Sequence, residues 1–147
     1  MSPAAEARVV SLQLNVIHRG AMQVVESASL MGDEGIEGDR HASPREDRRG
    51  YHVLLMDRET LEALGLAPGT VRENVTTSGL DLVSLVAGQR VALGEQAVIQ
   101  ISKSCAPYSR MDEVRPGLQQ ELEGRRGMLA SVVESGTVVV GDRIIVL

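Results

Sequence analysis

The sequence predicts a mainly β protein, folded as a closed or nearly closed β-barrel with two or three short helices. About eight short segments have strand-like patterns and are separated by turn residues, whereas about two have a convincing helical pattern. Strands do not alternate with helices, which argues against a doubly wound parallel sheet. Closure is expected because it removes exposed strand edges. No linker, repeat or low-complexity segment divides the chain, so residues 1–147 are expected to form one domain.

The N-terminal part predicts two paired strands and then a long loop. In residues 9–17 apolar side chains at every second position, from Val10 to Val16, indicate a strand with one buried face. A looser strand is predicted over residues 22–27. Residues 32–50 have few apolar and many charged side chains, and long loops in compact domains are often functional. We therefore expect this loop to border a site, with a solvated surface loop as the alternative.

Local signals define the later elements. Asp57 can cap the start of a helix and Gly65 can end it in the left-handed conformation. Leu118 and Leu122 form an apolar pair on one helix face. In chain order we predict a buried strand at 51–56, a helix at 58–64, a polar β-prone segment at 70–79, a helical turn at 80–86, a hairpin at 89–101, a helix from Pro116 to about residue 123, and two or three strands between 128 and 147.

Composition narrows the possible functions. The net charge of −5 argues against binding to nucleic acid by charge. The absence of Phe and Trp argues against binding by stacking, and it also means that the core must be aliphatic. No segment approaches the roughly 18 apolar residues of a membrane span, and the N-terminus does not resemble a signal peptide. A single cysteine excludes an intramolecular disulfide. We therefore expect a cytoplasmic protein without membrane association.

Cys105 is the candidate reactive residue, because it is the only cysteine and stands between a strand-like run and a proline turn. A thiol acts as nucleophile or metal ligand only as the thiolate, and Lys103 and Arg110 could lower its pKa. The alternative is a buried, inert cysteine. Nucleotide-binding glycine motifs and zinc-ligand patterns are absent from the sequence. A Cys–His hydrolase with His41 or His52 as base stays open.

Two further polar residues stand out before any resemblance is considered. Arg40 lies in the glycine-containing part of the long loop, and its planar guanidinium suits phosphate or carboxylate. Asn74 lies in a β-prone segment where Asn is unfavourable, so its amide could hold a neighbouring loop or a ligand.

Five segments in order resemble the MOSC domain, the module similar to the C-terminal part of molybdenum cofactor sulfurases. The resemblance covers roughly residues 8–147 and implies a β-barrel with short helices, similar to the barrel of pyruvate kinase. The segments are Gly-Ile-Glu-Gly-Asp-Arg-His at 35–41, Arg-Glu-Asn-Val-Thr-Thr-Ser-Gly-Leu-Asp-Leu at 72–82, Leu-Val-Ala-Gly-Gln-Arg-Val-Ala-Leu-Gly at 85–94, Ser-Cys-Ala-Pro at 104–107 and Gly-Thr-Val-Val-Val-Gly-Asp at 136–142.

The resemblance implies that the chain binds the molybdenum cofactor (molybdopterin) or carries sulfur. Cys105 matches the family cysteine that is either a molybdenum ligand or the acceptor of a persulfide. A pyridoxal-phosphate-dependent cysteine desulfurase or a molybdoenzyme is the implied partner. The resemblance places Arg40, His41, Asn74, Thr76 and Thr77 among the pocket residues. Within that pocket we expect Arg40 and Lys103 to bind the cofactor phosphate, and Asn74, Thr76 and Thr77 to donate hydrogen bonds to the phosphate or to the pterin.

Two functions of different class follow. The first is a binding and carrier protein that uses Cys105 in cofactor sulfuration or transfer. The alternative is a molybdenum-dependent reductase of N-hydroxylated compounds, which would need a separate electron donor because the chain has no flavin, haem or iron–sulfur motif. A barrel without any cofactor is a third reading. The chain departs from the family pattern at Arg72, where Gly is common, and in the order Cys-Ala-Pro.

Overall fold

The computed structural model describes residues 6–106 and 110–147, so the predicted turn at Pro107 lies outside the described residues. Within the described residues the protein is mainly β, as predicted, with a few short helices. The strands are β1 (Arg8–Leu14), β2 (Gln23–Val25), β3 (Ser27–Met31), β4 (Gly35–Ile36), β5 (Val53–Asp57), β6 (Val75–Ser78), β7 (Arg90–Leu93), β8 (Ala97–Ser104), β9 (Met128–Glu134), β10 (Gly136–Val139) and β11 (Ile144–Val146). The α-helices are α1 (Arg58–Ala63), α2 (Met111–Val114) and α3 (Leu118–Glu121), and 3-10 helices span Glu46–Tyr51 and Leu82–Ser84.

The described strands form two sheets. The larger has eight strands in the order β11-β7-β8-β9-β5-β6-β1-β2, and the smaller has the order β10-β3-β4. β5 and β6 run parallel, with α1 between them along the chain, while the other paired strands are antiparallel. The predicted pairing of the first two strands is confirmed, and so is the hairpin of β7 and β8.

The expected closed barrel is not confirmed. In the described part of the chain, the order of the large sheet has β2 at one end and β11 at the other. The chain just before β11 does approach β1, through an isolated bridge between Arg8 and Arg143 and a 2.9 Å hydrogen bond from Val9 N to Asp142 O. This contact is a single bridge and does not form a ladder between β1 and β11. β11 is three residues long and pairs with β7 instead.

The core is aliphatic, as the composition predicts. One cluster fills the space enclosed by the large and small sheets, and includes Leu12, Leu30, Leu55 and Ile99. A smaller cluster packs the helices against β5 and the segment before β6, and consists of Met56, Leu61, Val71, Met111, Leu118 and Leu122. The predicted Leu118–Leu122 pair is therefore confirmed as a packing face.

Local signals were accurate at one helix and inaccurate at another. Asp57 caps α1, since its carboxylate accepts a 3.0 Å hydrogen bond from Thr60 N, and Gly65 follows with φ of 70°. Pro116 does not begin a helix. Gly117 with φ of 85° precedes α3 directly, so the helix starts two residues after the proline.

The N-terminal region differs most from the prediction. The register between β1 and β6 shifts between Val9 and Ser11, so Val9 and Leu12 are buried rather than every second residue from Val10. The segment 32–50, predicted as a loop, contains β4 and most of a 3-10 helix. β3 was missed, although Ser27 and Ser29 alternate with the buried Ala28 and Leu30 and the strand pairs with β10 and β4.

Candidate functional site

A cavity of about 600 Å³ opens where β8 ends, and it collects residues from six separate segments of the chain. A volume of this size is typical of small-molecule sites. Its lining residues are Asn15, His18, Arg19, Arg40, His41, Tyr51, Leu54, Arg72, Asn74, Lys103, Ser104, Cys105, Ala106, Arg110, Arg126 and Leu129.

The cavity is strongly cationic in a protein whose net charge is −5. Five arginines and one lysine line it, and among the described residues no aspartate or glutamate does. Side chains of one sign in a concave surface focus the local field and attract ligands of opposite charge. The total charge of the chain therefore does not describe this surface.

Cys105 lies on the wall of this cavity and is half-buried. Its backbone N–H donates a 2.9 Å hydrogen bond to Gly127 O, which fixes the residue after the end of β8. Burial raises the pKa of the thiol above its ordinary value, and the positive charges of Arg126 and Lys103 oppose that rise without overcoming it. The sequence suggested a lowered pKa from flanking cations, but desolvation is the larger effect here.

Arg126 is the functional candidate that the sequence analysis missed. Its side chain is buried, and its guanidinium donates to the sulfur of Cys105 and, at 2.9 Å, to Val71 O. Pairing of Ser104 with Met128 brings the start of β9 beside the end of β8. The consecutive arginines just before β9 would therefore have predicted a cation beside Cys105 if the pairing of β8 with β9 had been assumed.

Gly127 makes this arrangement possible. Its φ is 116°, and a Cβ at this position would lie 2.0 Å from Leu55 O. Only glycine tolerates both the left-handed backbone and so close a contact. The strand can therefore begin tightly against β5, and Arg126 is held next to Cys105.

The Gly-Asp-Arg-His segment is anchored by a buried carboxylate. Asp39 accepts hydrogen bonds from Asn15 N at 2.6 Å, from His41 N at 3.0 Å and from Asn74 Nδ2 at 3.0 Å. Burial acts to raise the pKa of Asp39, but the hydrogen bonds from His41 and Asn15 lower it below its ordinary value. The His41 ring, about half exposed, lies 3.4 Å from the same carboxylate. Asp39 thus places Arg40 and His41 at the cavity wall.

Asn74 lines the cavity but its amide is occupied within the protein. Its Oδ1 accepts from Leu54 N at 3.0 Å, and its Nδ2 donates to Gln13 O at 3.2 Å as well as to Asp39. Of the two sequence-based readings of Asn74, the structure shows the one in which the amide holds a neighbouring loop.

Arg72 fastens the turn that follows β1. Its Nη1 donates to Gly20 O at 2.7 Å and its Nη2 to Asn15 Oδ1 at 2.9 Å. Arg72 has φ of 67° and Arg19, within the turn, has φ of 58°. For residues other than glycine this conformation costs about 1–3 kcal/mol each and clusters at functional sites. The strained backbone of Arg19 and Arg72 lies in and beside the turn that places His18 and Arg19 at the cavity.

The structure does not bring Thr76 and Thr77 to the cavity. Both are fully buried in β6, and the Thr76 hydroxyl donates to Glu73 Oε2 at 2.9 Å. Lys103 does line the cavity, and its Nζ donates to the Tyr51 hydroxyl at 2.6 Å. Of the predicted site residues, the structure brings together Arg40, His41, Asn74, Lys103 and Cys105.

The described part of the chain contains neither a cluster of metal-ligating side chains nor a helix that could span a membrane. No group of three or more His, Cys, Asp or Glu side chains is positioned there to hold a metal ion by itself. None of the helices there has the length and hydrophobicity needed to cross a membrane.

A family model described as the MOSC domain matches residues 51–145, more than half of the 147 residues. The chain belongs to the MOSC domain family. The matched segment of this MOSC domain includes Asn74, Lys103, Cys105 and Arg126, whereas Arg40 precedes it. No curated protein gives a significant match.

Solved structures resemble this MOSC domain along almost its whole length. The YuaD protein from Bacillus subtilis has a TM-score of 0.79 at 22% identity, covering 95% of this chain and 94% of that chain. YiiM from Geobacillus stearothermophilus has a TM-score of 0.74 at 18% identity, covering 96% and 75%. YiiM from Escherichia coli has a TM-score of 0.70 at 21% identity, covering 95% and 69%. At these identities the likeness shows a shared fold.

Proposed function

We propose that this MOSC domain binds the molybdenum cofactor in its cationic cavity and uses Cys105 to carry sulfur in cofactor sulfuration or transfer. The observation that carries the proposal is the composition of the cavity wall, which places five arginines, one lysine and the sole cysteine around about 600 Å³ with no carboxylate among its described lining residues. An anionic ligand that also needs a sulfur donor matches this wall in both charge and chemistry.

The residues present fit the implied cofactor, which is a pterin dithiolene with a phosphate. Arg40 and Lys103 would hold the phosphate, because guanidinium and ammonium groups at the wall can donate hydrogen bonds to its oxygens. His41 would border the ligand, and Cys105 would face the metal. The bound cofactor would supply a molybdenum centre that accepts sulfur ligands. Asn74 and Thr76 would support the wall through their buried hydrogen bonds, and Thr77 through packing.

Sulfur carriage requires a thiolate on Cys105. In the transfer, this thiolate attacks the outer sulfur of a persulfide on a pyridoxal-phosphate-dependent desulfurase. A sulfur–sulfur bond forms on Cys105, the bond to the donor cysteine breaks, and the donor leaves as a thiolate, so no external oxidant or reductant is needed. Arg126 stabilises the charged form of Cys105, because its guanidinium donates directly to the sulfur. The burial that raises the thiol pKa makes this contact necessary.

The test is the molybdenum and pterin content of protein purified from a host that makes the cofactor. Wild type, Cys105→Ser, Arg40→Gln and Lys103→Gln are compared with Arg58→Gln, an exposed arginine outside the cavity that matches the loss of one charge. We expect both components in wild type and Arg58→Gln, pterin without metal in Cys105→Ser, and reduced pterin in the other two. Absence of both components from the wild-type protein would refute cofactor binding.

Sulfur carriage is tested separately by mass. After incubation with a desulfurase and cysteine, Cys105 should gain roughly 32 Da, the mass of one sulfur atom, and the gain should be lost on reduction. Unchanged mass, together with turnover of an N-hydroxylated substrate by the loaded protein and an electron donor, would favour the reductase alternative instead.

A further inference from the structure

The cations of the cavity fall into two groups around two different residues. Arg126 and Lys103 act on the thiol of Cys105. A different set acts on the imidazole of His18, and it consists of Arg40, Arg19, Arg110 and Arg72. The second group comes from the turn after β1, the loop before the 3-10 helix at 46–51, the segment before β6 and the start of α2.

The guanidiniums of the second group differ in what they already bind. Arg72 donates to Gly20 O and Asn15 Oδ1, and Arg110 pairs with Glu113 at 3.3 Å. Within the described residues, the side chains of Arg19 and Arg40 have neither a hydrogen bond nor an ion pair. Two positive charges that have no side-chain partner in the part of the chain that the structure describes therefore face one cavity, next to an exposed histidine.

The backbone holds this arrangement under strain. Gly20 N donates to Ile17 O at 2.9 Å and closes a tight turn, in which Arg19 is forced into the left-handed region at φ of 58°. Arg72 pins the turn from its other side while itself at φ of 67°. Backbone strain of this kind clusters at functional sites, and both strained arginines line the same cavity.

We propose that His18 with Arg19, Arg40, Arg72 and Arg110 forms a subsite for a tetrahedral dianion of the phosphate class, and that His18 takes up one proton when the dianion binds. The inference rests on the proposed function, because it identifies where in the same cavity the phosphate of an anionic ligand is held. Arg40 is common to this subsite and to the phosphate contact proposed above, whereas Lys103, whose Nζ donates to the Tyr51 hydroxyl, lines the Cys105 end of the same cavity.

The charges around His18 explain the coupling. In the absence of ligand, the nearby guanidiniums of Arg40, Arg19, Arg110 and Arg72, together with desolvation, lower the pKa of His18, so the ring is neutral at neutral pH. A dianion among these guanidiniums compensates their charge and attracts a proton to the ring. By linkage, binding that raises the affinity for a proton must itself become stronger as the pH falls.

A dianion is the ligand class that fits best. The planar forks of Arg19 and Arg40 can each donate two hydrogen bonds to neighbouring oxygens of a tetrahedral group. A monocarboxylate carries one negative charge and would leave more of the positive charge of the four arginines uncompensated than a dianion does. The cavity also needs no metal at this end, since the charge is supplied by the protein.

Sulfate is the probe for the experiment, because it is a tetrahedral dianion whose own charge stays constant across the pH range that matters. Sulfate binding is followed by NMR from pH 5 to pH 8, at constant ionic strength, and the His18 ring resonance is titrated with and without sulfate. We expect the apparent dissociation constant to fall by up to about tenfold for each pH unit over the range in which His18 titrates. The His18 titration should shift to higher pH when sulfate is present.

Three variants make the test specific. His18→Gln, at an exposed position, should bind sulfate at pH 8 as wild type does but lose the strengthening at lower pH. Arg19→Gln should weaken binding at least tenfold at every pH, whereas Arg58→Gln, with the same change in total charge, should not. An equal pH dependence in His18→Gln and wild type would overturn the proton uptake. Unchanged binding in Arg19→Gln would overturn the subsite.

This experiment is independent of cofactor binding. Cys105→Ser should bind sulfate with the same pH dependence, because the two cation groups are separate. Sulfate binding linked to His18 in a protein that never acquires molybdenum would refute the proposed function and leave the subsite standing. Molybdenum and pterin in a protein whose sulfate binding ignores His18 and Arg19 would do the reverse.

Discussion

Replacing Asn74 with alanine tests whether the cavity wall is held from within the protein. The Asn74 side chain is buried and makes three hydrogen bonds, to Leu54 N, Gln13 O and Asp39 Oδ1. The two bonds to backbone groups contribute about 1 kcal/mol each, and the bond to a carboxylate contributes about 1.5–3 kcal/mol. The expected loss of unfolding free energy for Asn74→Ala is therefore about 3.5–5 kcal/mol, a large part of the roughly 5–15 kcal/mol of a typical domain.

The assay is urea unfolding at pH 7 followed by far-ultraviolet circular dichroism, because the chain contains no tryptophan. Asn74→Asp sharpens the test, since it keeps the shape and the acceptor for Leu54 N but points a second carboxylate oxygen at Asp39 and Gln13 O. We expect this variant to be at least as unstable as Asn74→Ala at pH 7 and to recover partly in acid, where a protonated carboxyl can donate again. A loss below about 1 kcal/mol in Asn74→Ala would refute the reasoning.

Three further predictions use neighbouring residues. The Thr77 hydroxyl is buried without a hydrogen-bond partner among the described residues, whereas the Thr76 hydroxyl is hydrogen-bonded. In urea unfolding, Thr77→Val should therefore stabilise the protein by up to about 1 kcal/mol, and Thr76→Val should destabilise it by about 1–3 kcal/mol. Equal effects of the two substitutions would contradict this prediction. Burial raises the pKa of Glu73, so the contribution of Glu73 to stability is fully present below the unfolded pKa and is lost as the pH rises through the folded pKa. The stability of Glu73→Gln relative to wild type should therefore increase from acid to neutral pH. A difference that stays constant with pH would count against this prediction. Since burial raises the pKa of Cys105 and Arg126 opposes it, Arg126→Gln should slow alkylation by iodoacetamide at pH 8 several-fold, and an unchanged rate would show that the guanidinium does not stabilise the thiolate.

Elements with local causes were predictable from the sequence. The cap at Asp57, the left-handed glycine at Gly65 and the hairpin at 89–101 each depend on neighbouring residues, and the structure has all three. Elements that depend on distant pairing were not. β4 is two residues long and exists because Met31 and Leu30 of β3 lie opposite it, which no local pattern in residues 35–36 reveals.

The same distinction separates the site residues that were predicted from those that were missed. Cys105 and Arg40 stand out by residue type alone, but the contact of Arg126 with Cys105 spans 21 positions in sequence and depends on the pairing of β8 with β9. Thr76 and Thr77 illustrate the opposite error. Neighbouring residues of a strand face opposite sides of the sheet, yet both sides of β6 are covered here, so neither hydroxyl reaches the cavity.

The Gly-Asp-Arg-His segment shows how an acidic protein builds a cationic cavity. Asp39 and Arg40 are adjacent, and side by side in solution their charges would largely cancel. In the folded protein the carboxylate of Asp39 is turned inward, where it is fully buried and saturated by three donors, while Arg40 stays exposed at the wall. Because a buried carboxylate satisfied by neutral amides is directed toward them, the segment contributes its positive charge to the cavity and its negative charge to the fold. A count of charges in the sequence does not reveal this separation, since it arises only when Asn15, just after β1, and Asn74, just before β6, donate to Asp39.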